Sequence, residues 1–230
     1  MKSVKILPAH TKGRLIVFEG ISASGKSRNI ERCYLYLVSL NLKVRIVQWN
    51  TNVYLRGLIA KLSKYRLLAA SVYSFLQWIG FFLDYTFKIK PSLEENYIVL
   101  ADRYIYTAFT RDFANGLRNK FVLKLNRFVQ KPDLLFFHDL DPSECLKRIR
   151  NRGKPLFHTN RKLKKETHMK DRELVYLKML RREYLLFFGE KQFMKNVRFV
   201  HLKGEMRNLP RLLHRYLEYE SVNHRNRRSV

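Results

Sequence analysis

Apolar residues along the chain fall into short continuous runs and longer stretches at helical spacing, and the two kinds alternate. Leu15-Ile16-Val17-Phe18 is a run of strand formers, the pattern of a buried strand. From Lys26 to Leu40, Ile30, Cys33, Tyr34, Leu37 and Val38 recur at helical spacing, with Asn41 placed as a C-cap. The alternation then repeats. Lys43–Val47 reads as a strand, and Tyr54, Leu55, Leu58, Ile59 and Leu62 mark a helix. Tyr97–Ala101 reads as a buried strand, followed by a helical region to about residue 130, broken near Gly116. Leu134–Phe137 is the next strand. Asp141-Pro142 opens a helix with an N-cap and proline at the first helical position, running through Cys145, Leu146 and Ile149. Leu174–Phe188 is amphipathic, Val197–Leu202 is a strand, and Leu209–Leu217 a final helix. Five strands separated by helices predict an α/β fold, a five-stranded parallel sheet with helices on both faces.

Residues 67–83 break this rhythm because they carry no charge. The run is close to the lower limit of about 17 residues for crossing a bilayer. Ser71, Ser74, Gln77 and Gly80 interrupt it, and a helix buried in the core or in a dimer interface explains it equally well, the reading preferred over a membrane span. Pro91 is expected to end that segment. Residues 1–12 read as a short leader, 13–220 as one domain, 221–230 as a basic tail, and the polar, basic stretch at about 152–170 has the composition of a mobile lid.

Composition adds one anomaly. Of 230 residues, 46 are Lys or Arg and 19 Asp or Glu, a net charge of +27. Such a field attracts polyanions, so nucleic acid is a possible partner, though the chemistry below favours a smaller one. Two cysteines, Cys33 and Cys145, make neither a disulfide framework nor a metal pattern, which suits a reducing, cytoplasmic setting.

The chemistry is concentrated at Gly20-Ile21-Ser22-Ala23-Ser24-Gly25-Lys26-Ser27, which fits G-x-x-x-x-G-K-[ST] between a strand and a helix. Gly20 and Gly25 allow a tight turn that exposes backbone N–H groups to anions, and the helix N-terminus adds partial positive charge. Lys26 is placed to reach the β- and γ-phosphates of ATP, and the Ser27 hydroxyl to ligate Mg²⁺. Asp102, at the end of the third strand, is the residue type and position that holds the metal or its waters, and Arg103 beside it can clamp an acceptor phosphate. Gln48-Trp49-Asn50-Thr51-Asn52 is a polar loop at the end of the second strand, where open α/β sheets bind ligands.

Taken together these segments resemble the thymidylate kinase family of nucleoside monophosphate kinases. Val17-Phe18-Glu19-Gly20, Val99-Leu100-Ala101-Asp102-Arg103-Tyr104, Lys131-Pro132-Asp133-Leu134, the stretch from Asp141 to Ile149, and Tyr176–Tyr184 are similar to its motifs, over roughly residues 13–218. The resemblance implies a P-loop kinase fold with a lid, ATP and Mg²⁺ held by residues 20–27, help to the metal from Asp102, acceptor phosphate on Arg103, and a lid arginine, Arg152 or Arg161, on the transferring group. It also implies a homodimer. The acceptor half departs from the family. Ser22 stands where the family has an Asp, Gln48 and Phe81 where it has arginines, and Gln77 where it often has a base-stacking Phe. Trp49, Gln77, Phe81 and Tyr106 are therefore expected to line an altered pocket, unless they are core residues. The expected activity is transfer of the ATP γ-phosphoryl to dTMP or a related nucleotide. The alternatives are a kinase for another acceptor and a degenerate P-loop protein that binds nucleic acid.

Overall fold

A computed structural model of the chain describes residues 12–117, 124–153, 156, 163, 169–204, 206 and 208–226, with 126, 169–170 and 219–226 described by backbone alone. Five strands, β1 (Arg14–Glu19), β2 (Val44–Gln48), β3 (Ile98–Asp102), β4 (Leu134–Asp139) and β5 (Arg198–Lys203), form one parallel sheet in the order β2-β3-β1-β4-β5. The register sets Phe18 beside Asp102 and Asp102 beside Gln48, so three strand ends meet along one edge. Since successive strand residues face opposite sides, each central strand feeds two cores. Leu15, Val17, Val99, Ala101, Leu135 and Phe137 point to one side. They pack with α3 (Ala70–Asp84), α5 (Ile105–Ala114), α6 (Pro142–Asn151) and α7 (Met169–Gly189), through Trp78, Phe81, Tyr106, Phe109, Leu146, Leu177 and Tyr184. Ile16, Phe18, Leu100, Leu134 and Phe136 point to the other. There they meet Ile30, Cys33 and Leu37 of α1 (Lys26–Ser39), and Leu209, Leu213 and Leu217 of the last helix, α9 (Leu209–Asn226). Each such side chain contributes about 1.5–3 kcal/mol, against about 0–1 for an exposed ion pair, so these two layers hold the sheet.

One expectation holds and two change. The 67–83 run forms a helix packed in the core, as preferred. Its helix α3 is 15 residues long, buries one face on α5, and among the described residues no helix is long and apolar enough to cross a membrane. Pro91 does not end that segment. Tyr85–Ile89 widens into a π turn in which the Lys90 N–H reaches the Tyr85 carbonyl five residues back, and Pro91 then sits in the first turn of α4 (Lys90–Glu94), where its missing N–H is not needed. The final helix runs on to Asn226, beyond the expected boundary of the tail. Asn41 does adopt the left-handed conformation (φ 56°) of a helix stop, and Asp141 caps α6 through the Ser143 N–H. Residues 1–11, most of the 152–170 stretch including Arg161, and residues 227–230 lie outside the described residues.

Two elements complete the frame. Helix α2 (Val53–Lys64) follows the β2 loop, capped by Asn52, whose side chain accepts from the Tyr54 and Leu55 N–H groups; none of its residues is buried. A single turn, α8 (Lys191–Met194), leads into β5.

Candidate functional site

The loop between β1 and α1 turns because its residues allow it. Gly20 has φ 140°, and a Cβ there would lie 2.5 Å from the His138 carbonyl; Gly25 has φ 92° and opens α1. Lys26 is buried. Its ammonium donates to the Gly20 and Ile21 carbonyls at 3.0 and 2.8 Å and to Ser24 Oγ at 3.3 Å. Burial, and then the nearby Arg103 charge, bring its pKa from 10.5 to about 7. His138, under the same loop, is pushed down to about 3, first by burial and then by Lys26, so it stays a neutral packing ring.

Ser27 Oγ donates to Asp102 Oδ2 at 3.1 Å. A hydroxyl and a carboxylate at the phosphate end of α1 form a hard oxygen pair. They fit a cation such as Mg²⁺, which is held through one or two protein oxygens and the substrate's phosphates rather than by an all-protein cage.

The next residue makes the turn out of β3. Arg103 has φ 76°, an unfavourable region for a residue with a Cβ, and its N–H donates to the Phe18 carbonyl at 3.0 Å. Its guanidinium reaches back to donate to the Gly20 carbonyl at 2.8 Å, with Thr107 Oγ1 and the Tyr184 hydroxyl at 3.4 Å. The group that enforces this geometry is Glu19. Fully buried, it accepts from the Tyr104 N–H (2.8 Å), the Thr107 N–H (3.2 Å), the Thr107 hydroxyl (2.7 Å) and the Tyr184 hydroxyl (2.8 Å). A carboxylate at the start of α5 takes the N-cap Tyr104 N–H, shares the Thr107 N–H with the Tyr104 carbonyl, and complements the helix dipole. Burial pushes Glu19 up, while Arg103 and these hydrogen bonds pull it back. Sequence reasoning quoted Glu19 only as part of a motif. Its one signal was a carboxylate in an otherwise apolar strand.

The loop after β2 packs beside these strand ends. The Trp49 N–H donates to the Asp102 carbonyl at 3.1 Å, and Trp49 stacks on Phe81 with ring centres 5.6 Å apart. Asn50 (φ 54°) lies against Gly80 of α3, where a Cβ would come within 1.8 Å of its Oδ1. Thr51 donates through its N–H and hydroxyl to Asp84 at 3.2 and 3.0 Å, and Lys88 bridges Asp84 and Thr51. Beside this loop opens a cavity of about 720 Å³ lined by Gln48, Trp49, Arg56, Ser63, Lys64, Tyr73 and Arg111 among others.

The structure thus brings Gly20, Ile21, Ser24, Lys26, Ser27, Asp102 and Arg103 together, with Ser22 and Ala23 in the same loop. Gln48 and Trp49 line the cavity. Gln77, Phe81 and Tyr106 do not; all three are buried in the core. Gln77 donates to Asp112 Oδ1 at 2.8 Å, Phe81 is enclosed by Trp49, Trp78 and Tyr104, and Tyr106 packs on Phe187 and Phe188. A pocket lined by these side chains is therefore corrected to a core cluster, because helix α3 turns this face onto α5 and the sheet. Arg152 closes α6, exposed, without a hydrogen bond to the P-loop, Asp102 or Arg103. Arg56, Tyr73 and Arg111 escaped the sequence reading because residues distant along the chain form this cavity.

Comparison with known proteins agrees with this arrangement. The family model described as thymidylate kinase matches residues 18–197, well over half of the chain. A probable thymidylate kinase 2 of Saccharolobus solfataricus is 31% identical over 139 residues, 60% of this chain and 65% of that protein. A probable thymidylate kinase of Pyrobaculum aerophilum is 34% identical over 143 residues, 60% of this chain and 70% of the relative. One from Thermococcus kodakarensis is 45% identical over 64 residues, 28% and 31% of the two chains. The chain thus matches just under two thirds of the Saccharolobus relative and about a third of the Thermococcus one. With the P-loop, the Asp102-Arg103 turn and the five-stranded parallel sheet already in register, the chain belongs to the thymidylate kinase family.

Proposed function

We propose that the protein is a phosphotransferase that moves the γ-phosphoryl group of MgATP to the phosphate of dTMP or a related nucleoside monophosphate. The observation that carries this is the convergence of Lys26, Ser27, Asp102 and Arg103 on one sheet edge. An oxygen of the acceptor phosphate attacks the γ-phosphorus, the bond from that phosphorus to the β–γ bridging oxygen breaks, and ADP leaves. The attacking group is already an anion, so no strong general base is needed, and catalysis is positioning plus neutralisation of charge. The P-loop N–H groups and Lys26 bind the donor phosphates. Arg103, fixed by Gly20 and Glu19, holds the acceptor phosphate in line. Ser27 and Asp102 would hold Mg²⁺, which supplies neutralisation of the β- and γ-phosphate charge. Arg152, or Arg161 outside the described residues, would reach the transferring group from the lid.

The acceptor need not be dTMP. Gln77, Phe81 and Tyr106 are committed to the core, so the base must be read by other groups, and a different nucleotide is the second reading. The working form is proposed to be a cytoplasmic homodimer. An apolar cavity of about 680 Å³ on α3, lined by Phe75, Trp78, Ile79, Phe82 and Phe87 among others, with Phe75 66% and Phe87 71% exposed, supports a second copy as its cover.

The test is ADP release from MgATP with each nucleoside monophosphate in turn. Turnover with at least one, abolished by Lys26→Ala and Arg103→Ala, is the expected result. No turnover with any acceptor, or full activity in either variant, would overturn the reading.

A further inference from the structure

Helix α5 carries a row of groups leading away from the P-loop. The Arg103 guanidinium lies between the Gly20 carbonyl and Thr107 Oγ1. Arg111 follows Thr107 by four residues on the same helix face, about 6 Å further along the axis at 1.5 Å per residue. It is aimed by Tyr73 of α3, whose hydroxyl accepts from Arg111 Nη1 at 3.0 Å. Arg111 lines the cavity beside the β2 loop, and Arg56 and Lys64 of α2 line it too. Ser63 supplies a hydroxyl and Gln48 an amide. Among the described residues no carboxylate lines this cavity. Neighbouring acidic groups spend their hydrogen bonds on other residues: Asp84 on Thr51 and Lys88, Asp102 on Ser27, and Asp112, whose charge also faces Arg111, on Ser74, Gln77 and Trp78.

Arg103 thus stands at one end of this row, and Arg111, Arg56 and Lys64 gather at the cavity at the other, where positive side chains outnumber negative ones. A simple mononucleotide bound at Arg103 has an anion only at its reacting end. We propose that the distal cavity is an anion subsite, and that the acceptor is a nucleotide carrying a second anionic group remote from the phosphate that receives the phosphoryl group. Arg111 is its central specificity residue, with Arg56 and Lys64 at the rim. This rests on the reading of Arg103 as the acceptor-phosphate clamp.

The experiment compares thymidine 3′,5′-bisphosphate with thymidine 5′-monophosphate, by titration calorimetry for affinity and by ADP release for turnover. The full chain should bind the bisphosphate at least 10-fold more tightly. Arg111→Gln should reduce that advantage to less than about 3-fold and leave ATP affinity unchanged, and Arg111→Lys should restore part of it. Lys61→Gln, on the same helix as Lys64 but outside the cavity, should leave the advantage intact; its loss there would show general attraction to a basic surface and overturn the subsite. Equal affinity for the two ligands, or an advantage that survives Arg111→Gln, would also overturn it. If monophosphates are turned over without any bisphosphate advantage, the subsite fails and the kinase reading stands. If the bisphosphate binds through Arg111 and neither it nor any nucleoside monophosphate is phosphorylated, the kinase reading fails and the anion subsite stands.

Discussion

Glu19 and Thr107 are joined twice, by the Thr107 N–H to Oε1 at 3.2 Å and by the Thr107 hydroxyl to Oε2 at 2.7 Å. Both oxygens of the carboxylate are also engaged by other donors, Tyr104 N–H and the Tyr184 hydroxyl. Glu19→Gln replaces one accepting oxygen by a donor that faces another donor. The expected outcome is a loss of about 1–3 kcal/mol in stability, the cost of unpaired buried groups, read from the denaturant midpoint. Because the same carboxylate fixes the turn that presents Arg103, kcat should fall more than ATP affinity. A variant with unchanged kcat and reduced stability would leave Glu19 a purely structural group.

Lys26 gives a proton signature. In the free protein its pKa lies at about 7, far below 10.5. Between those values the unfolded chain binds more protons than the folded one, so the stability due to this group rises with pH across that window. The phosphates of ATP favour the charged ammonium and raise its pKa. ATP binding at pH 8 should therefore take up protons, seen as a dependence of calorimetric binding heat on buffer ionisation enthalpy. The dependence should shrink in Lys26→Met. Identical proton uptake in that variant would assign the proton elsewhere.

The Ser27–Asp102 pair predicts a separation of metal dependence from nucleotide binding. Asp102→Asn keeps the hydrogen-bonding shape and removes a charge. It should raise the Mg²⁺ concentration for half-maximal ADP release by about 10-fold or more, while metal-free ATP binds at least as well as before, on the reasoning that anionic side chains hold Mg²⁺ and repel phosphate. An unchanged Mg²⁺ profile would remove Asp102 from the metal site.

Gly80 and Asn50 oppose helix propensity. Replacing a mid-helix glycine by alanine ordinarily gains about 1 kcal/mol. Here the new Cβ would lie 1.8 Å from Asn50 Oδ1, so Gly80→Ala should destabilise the protein and weaken acceptor binding through the displaced Trp49 loop. Asn50 has φ 54°, a conformation glycine adopts freely, so Asn50→Gly in the same chain should recover the stability. If Gly80→Ala alone is stabilising, the contact is soft and the loop is not held by it.

The donor half was legible because its chemistry is local: one octapeptide contains the turn glycines, the lysine and the serine. The strands were legible for a similar reason, since Leu15–Phe18 and Leu134–Phe137 are apolar on both faces and only a sheet covered on both sides accepts that. The cavity beside the β2 loop was not legible. Tyr73, Arg111 and Arg56 meet only when α2, α3 and α5 are packed, and Phe81 or Gln77 look alike in sequence whether they face a ligand or Trp78 and Asp112. Pro91 misled because a π turn, which no residue pattern announces, removed the conflict that proline normally creates.

Helix α2 has no buried residue; Asn52 caps only its own first turn, and the helix rests on the molecule through half-buried side chains such as Leu55, Ile59 and Leu62. An element so lightly seated opens at a small fraction of the global unfolding free energy. Its amides should exchange with solvent far faster than those of α5, and the rate should fall when the distal cavity is occupied. On the proposed reading, the α2 wall of the cavity would then work as a door hung on the Trp49–Asn52 loop. Acceptor entry and exit would proceed without disturbing the rigid strand ends that hold Lys26, Asp102 and Arg103 in line.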